Sequence, residues 1–170
     1  MAVYLLSYHA YRSWPADHPR GYVKGGKNHS PDPDQAAFYD RQAKHEPVVF
    51  TPDRQMLLLS GVLDVSERRD WRIHAFGAEP THIHVLISWK TFTPWQDVRD
   101  KLANLLSGFL GRHAGETGRR WLTRKPSRKR VRDRKHYDYL VNVYLPKHSG
   151  LFWREGEQRP PSLDELIGDE

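Results

Sequence analysis

Residues 71–89 read WRIHAFGAEPTHIHVLISW. Two apolar runs, 71–78 and 82–89, flank the short break Glu79-Pro80-Thr81. Both runs are rich in β-branched and aromatic residues, so the stretch predicts an antiparallel hairpin. In the second run alternate residues share a face. Ile83, Val85 and Ile87 form an apolar set that faces a core, and His82, His84, Leu86 and Ser88 face the other way. The reading puts both imidazoles on an exposed sheet face, their Cβ atoms roughly 6–7 Å apart. Two side chains at that spacing can converge on one cation. The plainer alternative is two polar surface histidines on an edge strand.

Outward from the hairpin, the chain reads as alternating strands and capped helices. Residues 3–9, VYLLSYH, predict a first strand, and Arg12–Pro33, rich in Gly, Pro, His and Asp, predicts a long ordered loop. Asp34–His45 predicts a short helix. Thr51 then suits an N-cap, Pro52 a first helical position, and Asp53 the first turn of a helix that runs to about Arg68. Thr93–Pro94 opens another helix, with Val98, Leu102, Leu105, Leu106, Phe109 and Leu110 at helical spacing and a stop near Gly111–Gly115. A strand pair is expected around Trp121–Leu122 and Arg130–Arg132. A last helix starts near Asp133 and carries Tyr137, Leu140, Val141 and Tyr144. This order predicts an α+β fold, a ferredoxin-like or RRM-like sandwich with an antiparallel sheet, helices on one face and the other face open for a ligand. Residues 1–150 form the domain, and 151–170, interrupted by Pro160–Pro161, read as a peripheral tail.

The 170 residues are 38% hydrophobic and 28% charged, which suits one folded domain. There is no cysteine, which excludes disulfides, thiolate metal sites and thiol nucleophiles. No apolar run approaches a membrane span and no leader is visible, so the expected location is cytoplasmic, nucleoid-associated, with no membrane partner. The net charge of +6 is unevenly spread. Arg119–Lys135 holds ten basic residues and one acid, so the rest of the chain is net acidic. Such focusing favours a polyanion, most simply nucleic acid; the plainer alternative is a solvated basic loop.

His82-Ile83-His84 on a strand of a small α+β domain resembles the HUH motif of the HUH endonucleases. Within that superfamily the chain is similar to the single-tyrosine transposases of short insertion sequences and the REP-associated tyrosine transposases. The segment Tyr11-Arg12-Ser13-Trp14-Pro15, with Pro19-Arg20-Gly21-Tyr22-Val23 after it, resembles a loop that follows the first strand in these proteins. The tyrosine-bearing helix after a basic segment is a further likeness, and together these cover most of residues 1–150.

The resemblance implies a metal-dependent single-stranded DNA endonuclease and strand transferase, a transposase acting at hairpin or palindromic DNA. A tyrosine attacks a phosphodiester and forms a 5′-phosphotyrosine link. His82 and His84 would hold a divalent cation, Mg²⁺ or Mn²⁺, with a third polar ligand four residues after the nucleophile. Tyr144, with His148 at that offset, is the first choice, although Pro146 between them breaks the helix. Tyr139 is the runner-up; the residue four beyond it is Val143, with Asn142 one before. The resemblance implies single-stranded or hairpin DNA as partner, bound by Arg119, Arg120, Arg124, Lys125, Arg128, Lys129, Arg130 and Arg132, with Trp121 as a stacking or core residue. Arg12, Trp14 and Arg20 would contact bases from the loop. Both a homodimer and a monomer occur among such proteins. Two departures stand out: Pro80-Thr81 replaces the family's Pro-Asn, and an all-imidazole ligand set suits Mn²⁺ or Zn²⁺ better than Mg²⁺. His74 reads as structural, and His136 as a phosphate or solvent contact. The competing function is a non-catalytic single-stranded nucleic-acid-binding domain derived from such a transposase.

Overall fold

The computed structural model describes residues 1–124 and 126–167. A five-stranded antiparallel sheet forms from β1 (Val3–His9), β4 (Trp71–Glu79), β5 (His82–Trp89), β6 (Ser127–Arg130) and β7 (Phe152–Arg154), in the order β6-β1-β5-β4-β7. The first four strands, with α2 (Pro52–Arg68) between β1 and β4 and α3 (Trp95–Ala114) between β5 and β6, follow the ferredoxin-like βαββαβ path. The loop after β1 carries a small hairpin, β2 (Tyr22–Lys24) and β3 (Lys27–His29), and α1 (Pro33–Gln42). The expected strand at Trp121–Leu122 is reduced to a single bridge between Ala10 and Leu122.

The helices begin where their capping residues dictate. Thr51 Oγ1 accepts the Arg54 amide, and Pro52 occupies the first turn of α2. α3 starts after Pro94 and ends on Gly115 in the left-handed region (φ 64°). α2 and α3 cover one sheet face. Their Leu57, Leu58, Val62, Leu102 and Leu106 close over Tyr8, Phe76, Ile83, Val85 and Ile87 in the main core. Gly61 marks a close approach of α2 and α3: a Cβ there would lie 2.3 Å from Phe109 Cδ2.

The opposite face is not open, contrary to expectation. α4 (Arg134–Tyr139) continues through a π-helical turn (Leu140–Tyr144) and a 3₁₀ turn (Leu145–Lys147), and this terminal helix lies across the sheet. Leu140, Val141 and Leu145 pack on Leu5, Ala75 and Leu86 in a second, smaller core. The sequence pattern explains why. Leu5, Ala75 and Leu86 are the apolar residues on the side of β1, β4 and β5 that α2 and α3 leave uncovered, and burying them favours the apolar stripe of the last helix.

β4 also departs from simple alternation. The pairing with β5 shifts between Ile73 and Ala75, so His74 is the extra residue of a β-bulge. The shift turns His74, Ala75 and Gly77 toward the terminal helix and Phe76 and Ala78 toward the main core. The segment 151–167, read from sequence as a tail, supplies β7 on the sheet edge and α5 (Leu163–Ile167), whose Leu163 is buried in the main core. Among the described residues no helix is long and apolar enough to cross a membrane.

The close contact of α2 and α3 makes Gly61 sensitive. Gly61→Ala should lower unfolding free energy by about 1–3 kcal/mol through overpacking against Phe109, read as a lower urea midpoint. A midpoint equal to wild type would mean that the two helices do not approach this closely.

Candidate active site

β5 places His82 and His84 on the face toward the terminal helix. The neighbouring strands decide how the two rings are held. The register pairs Ser7 of β1 with His84, and Ser7 Oγ lies 2.6 Å from His84 Nδ1. Thr81 Oγ1 lies 2.9 Å from His82 Nδ1, with a Glu79 carboxylate oxygen at 3.9 Å. On the other side of His84 stands Gly77, where a Cβ would come within 3.1 Å of Leu145 Cδ2, so the small residue lets the terminal helix seat closely.

The terminal helix delivers the remaining two groups. Asp133 Oδ1 accepts the His136 amide at 2.7 Å and caps its start. The packing of Leu140, Val141 and Leu145 then turns Tyr144 inward, and its hydroxyl lies 3.3 Å from His84 Nε2. Pro146, expected to kink or end the helix, falls in its closing 3₁₀ turn, and His148 leaves in extended conformation (φ −67°, ψ 140°). The His148 ring folds back so that Nδ1 lies 3.1 Å from the carbonyls of both Tyr144 and Leu145. Carbonyls only accept, so the ring proton sits on Nδ1 and the Nε2 lone pair is free. The chain beyond is pinned. Gly150 and Ala78 bond through their backbones, Gln55 Oε1 accepts the Leu151 amide, and a Cβ at Gly150 would meet Gln55 Oε1 at 2.3 Å and Ala78 O at 2.6 Å.

His82, His84 and His148 thus form a triad whose nitrogen ligand atoms all lie within 4.8 Å of one another. Hydroxyls or carbonyls engage all three Nδ1 atoms, which leaves the Nε2 side of each ring, shared on His84 with the Tyr144 hydroxyl, for a common ligand, the outer arrangement that orients metal-binding imidazoles. The His84 ring is buried, not exposed as the alternation alone suggested. Burial, then the neighbouring His82 and His148, pushes His84 down to about 3. Burial and His9 push His82 down to about 4, against the opposing pull of Glu79. Both rings are therefore neutral at neutral pH, the form that binds a cation. Three imidazole ligands fit a divalent metal ion of the transition series better than a hard oxygen-seeking one. Burial raises the Tyr144 hydroxyl above its ordinary range, with Tyr139 and Glu79 adding to the effect, so the phenol is protonated at rest.

The pocket beside the triad has a volume of about 420 Å³. Its basic wall is short: of the predicted cations, Arg128 and Lys129 line it. Arg128 also lies over the Trp95 ring, 4.0 Å from its centroid. Arg130 and Arg132 open into a different cavity at the other end of the helix. Arg119 pairs with Glu116, and Arg120 lies over Tyr11. Arg124 is exposed, and Lys125 lies outside the described residues. Trp121 is buried in the main core beneath Arg54 and Arg119, which settles its role as packing and removes it as a base-stacking surface. In the loop, Arg12 pairs with Asp40, Trp14 stacks on His18 at 3.7 Å with one face exposed, and Arg20 is exposed. Ser13 Oγ and the Ala10 amide both bond to Thr81 O, which ties this loop to the residue before His82.

Two lining residues beside the histidine pair escaped the sequence reading. Ser7 and His9 are the two polar positions on the Leu5 side of β1, a pattern visible in VYLLSYH. His9 pairs across from His82 with ring centroids 5.2 Å apart, and its buried Nδ1 has no hydrogen-bond partner among the described residues. His136, half-read as a phosphate contact, is buried and accepts the Arg132 amide through Nδ1 while lining the pocket. Tyr139 also lines it, half-exposed, with its ring 6.3 Å from that of Tyr144.

No family model matches the chain, and no curated protein matches it. Among solved structures it is similar to a REP-associated tyrosine transposase bound to a REP hairpin, with a TM-score of 0.46 and 10% sequence identity. The alignment covers 82% of this chain and 62% of that one, so the chain spans less than two thirds of the solved protein.

Ser7→Ala should weaken Mn²⁺ binding about 10–100-fold by freeing the His84 ring, measured by isothermal titration calorimetry. Unchanged affinity would mean that Ser7 does not orient a ligand. A second expectation concerns pH. The ordinary histidine value of 6.5 describes the unfolded chain, and the folded values of His82 and His84 lie below it, at about 4 and about 3. Between these limits the unfolded chain binds more protons, so metal-free stability should fall as pH drops below about 6.5. His84→Gln should make the decline in urea midpoint shallower; an equally steep decline would assign it to other groups.

Proposed function

We propose that the chain is a divalent-metal-dependent single-stranded DNA strand transferase of the HUH type, with Tyr144 as nucleophile and His82, His84 and His148 as metal ligands. One observation carries this reading. A phenol hydroxyl lies 3.3 Å from a ring nitrogen of a three-imidazole cluster, in a pocket walled by cations and reached from the surface. Each part has another use alone, but a phenol, a metal-competent triad and a cationic wall together match phosphodiester transesterification.

A divalent cation on the three Nε2 atoms would supply Lewis-acid stabilisation of the charge that develops on the phosphate oxygens. The chain's own residues do the rest. Lys129, whose partner Leu5 faces the pocket, holds the backbone of the strand at the pocket mouth. Tyr144 Oη forms a bond to phosphorus as the bond from phosphorus to the 3′ oxygen breaks. The phenol gives up one proton and the 3′ oxygen gains one, which leaves a free 3′-hydroxyl and a 5′-phosphotyrosine. One phosphate ester replaces another, so the strand can be rejoined by the reverse step without ATP. The raised resting value of Tyr144 keeps the nucleophile protonated until substrate is in place.

The packing of Leu145 against Gly77 and the capping of the helix by His148 hold Tyr144 rigidly, which favours a single attack geometry. Tyr144 and the triad come from one chain, so this site needs no second copy to be complete. Trp14, with one face packed on His18, would stack a base beside the pocket, and Arg20 would hold the adjoining phosphate.

With Mn²⁺ and a hairpin-bearing single-stranded DNA, the protein should form a covalent adduct that survives denaturing electrophoresis. Tyr144→Phe should reduce the adduct to background while leaving DNA binding within about twofold, and His82→Ala should also abolish it. Adduct from Tyr144→Phe together with none from Tyr139→Phe would transfer the role to Tyr139. Binding with no adduct from the wild-type protein would leave a nucleic-acid-binding domain without chemistry.

A further inference from the structure

The sheet face beneath the terminal helix carries a second imidazole–phenol pair. Tyr137 Oη lies 3.2 Å from His74 Nδ1, and His74 Nε2 lies 2.8 Å from Ser88 Oγ. His74 and Ser88 are buried. Leu86 on β5 and Leu140 and Val141 on the helix separate this pair from His84 and Tyr144. The bulge in β4 is what turns His74 toward this face.

A cavity of about 700 Å³ opens over the pair, lined by Arg72, Arg130, Arg132 and Arg134, with Val3 and Val131 among its walls. The arginines come from β4, β6, the connection after it and α4. Arg72 is forked on Glu155, and Arg134 pairs with Asp138 and lies over the Tyr137 ring. Both pairs lie on the surface, where such contacts are weak and yield to a stronger anion. Arg130 and Arg132 make no ion pair among the described residues. Glu155, Asp133 and Asp138 are the acidic groups nearby; Asp133 already caps α4, and Glu155 and Asp138 are the partners of Arg72 and Arg134. Arginines from four places in the chain line one concavity, a lining that suits the oxygens of a phosphate, and the volume suits a nucleotide-sized ligand.

One run of chain joins the two cavities. Ser127, Arg128 and Lys129 line the pocket of Tyr144, and Arg130, Val131 and Arg132 line this one. We propose that the Arg72–Arg130–Arg132–Arg134 cavity is a second phosphate-binding pocket, occupied by a backbone phosphate of the same single strand that lies at Tyr144, with β6 as the rail between them. The identity of the strand rests on the proposed function; the affinity of the pocket for a phosphate group does not. Tyr137 serves there as a hydrogen-bonding group to a phosphate oxygen. Among the described residues no metal-competent triad stands beside it.

The test follows the histidine ring resonances of the metal-free full chain by NMR during titration with a 5′-phosphorylated oligothymidylate and, separately, with inorganic phosphate. His74 should shift with the oligonucleotide at lower concentration than with phosphate. Arg130→Ala combined with Arg132→Ala should weaken that response about tenfold or more. A silent His74, or a double variant that responds like wild type, overturns the pocket. Equal affinity for inorganic phosphate and the oligonucleotide overturns the strand contact and leaves a free-anion site. A His74 shift in a protein that forms no adduct through Tyr144 would sink the proposed chemistry and leave this pocket standing.

Discussion

A buried imidazole must have both of its ring nitrogens accounted for, and His84 is where that demand organises the molecule. Ser7 meets Nδ1 from the adjacent strand at 2.6 Å, and Nε2 faces the Tyr144 hydroxyl at 3.3 Å, with the rings of His82 and His148 beside it. This works only in one register of β1 against β5. A slip by one residue would bring Leu6 or Tyr8, both main-core residues, opposite His84. The main core and the polar site are therefore specified by the same strand pairing, and neither can shift without breaking the other.

The second condition is a lid over that face of the sheet. A helix that ran regularly to its end would carry His148 onward along its axis, away from the strands. The π-helical turn and Pro146 prevent this. The Leu145 amide reaches back to Leu140 instead of the usual partner one residue nearer, and the proline brings the helix to a stop within one more turn. The ring of His148 then occupies the carbonyls left at the helix end, so a local capping contact also orients a candidate ligand. The irregularity that argued against the Tyr144–His148 pairing in the sequence is the device that brings the two onto one imidazole.

Much of this was legible in the sequence because it depends on local signals. Thr51-Pro52, Pro94 and Asp133 mark helix starts, the hairpin from Trp71 to Trp89 shows in its composition, and the strand period puts His82 and His84 together. The parts that were not legible depend on distant pairing. Nothing in the period of β4 announces the bulge at His74, because it arises from how that strand meets β5. The covered second face was hidden because Leu5, Ala75 and Leu86 lie far apart in the chain and form a patch only once the sheet exists. Ser7 and His9 were readable as polar residues on an apolar strand, but their partners were not. The dense positive charge of Arg119–Lys135 looked like one surface and is in fact divided among several, since the segment crosses from the end of α3 along the sheet edge to the terminal helix.

The order in which these groups occur along the chain has a consequence for biosynthesis. His82 and His84 emerge from the ribosome early, but Tyr144 and His148 come late, and the segment that pins His148 through Gly150, Leu151 and Gln55 is later still. A nascent polypeptide can pair β1, β4 and β5 and cover them with α2 and α3 while Tyr144 is still inside the exit tunnel.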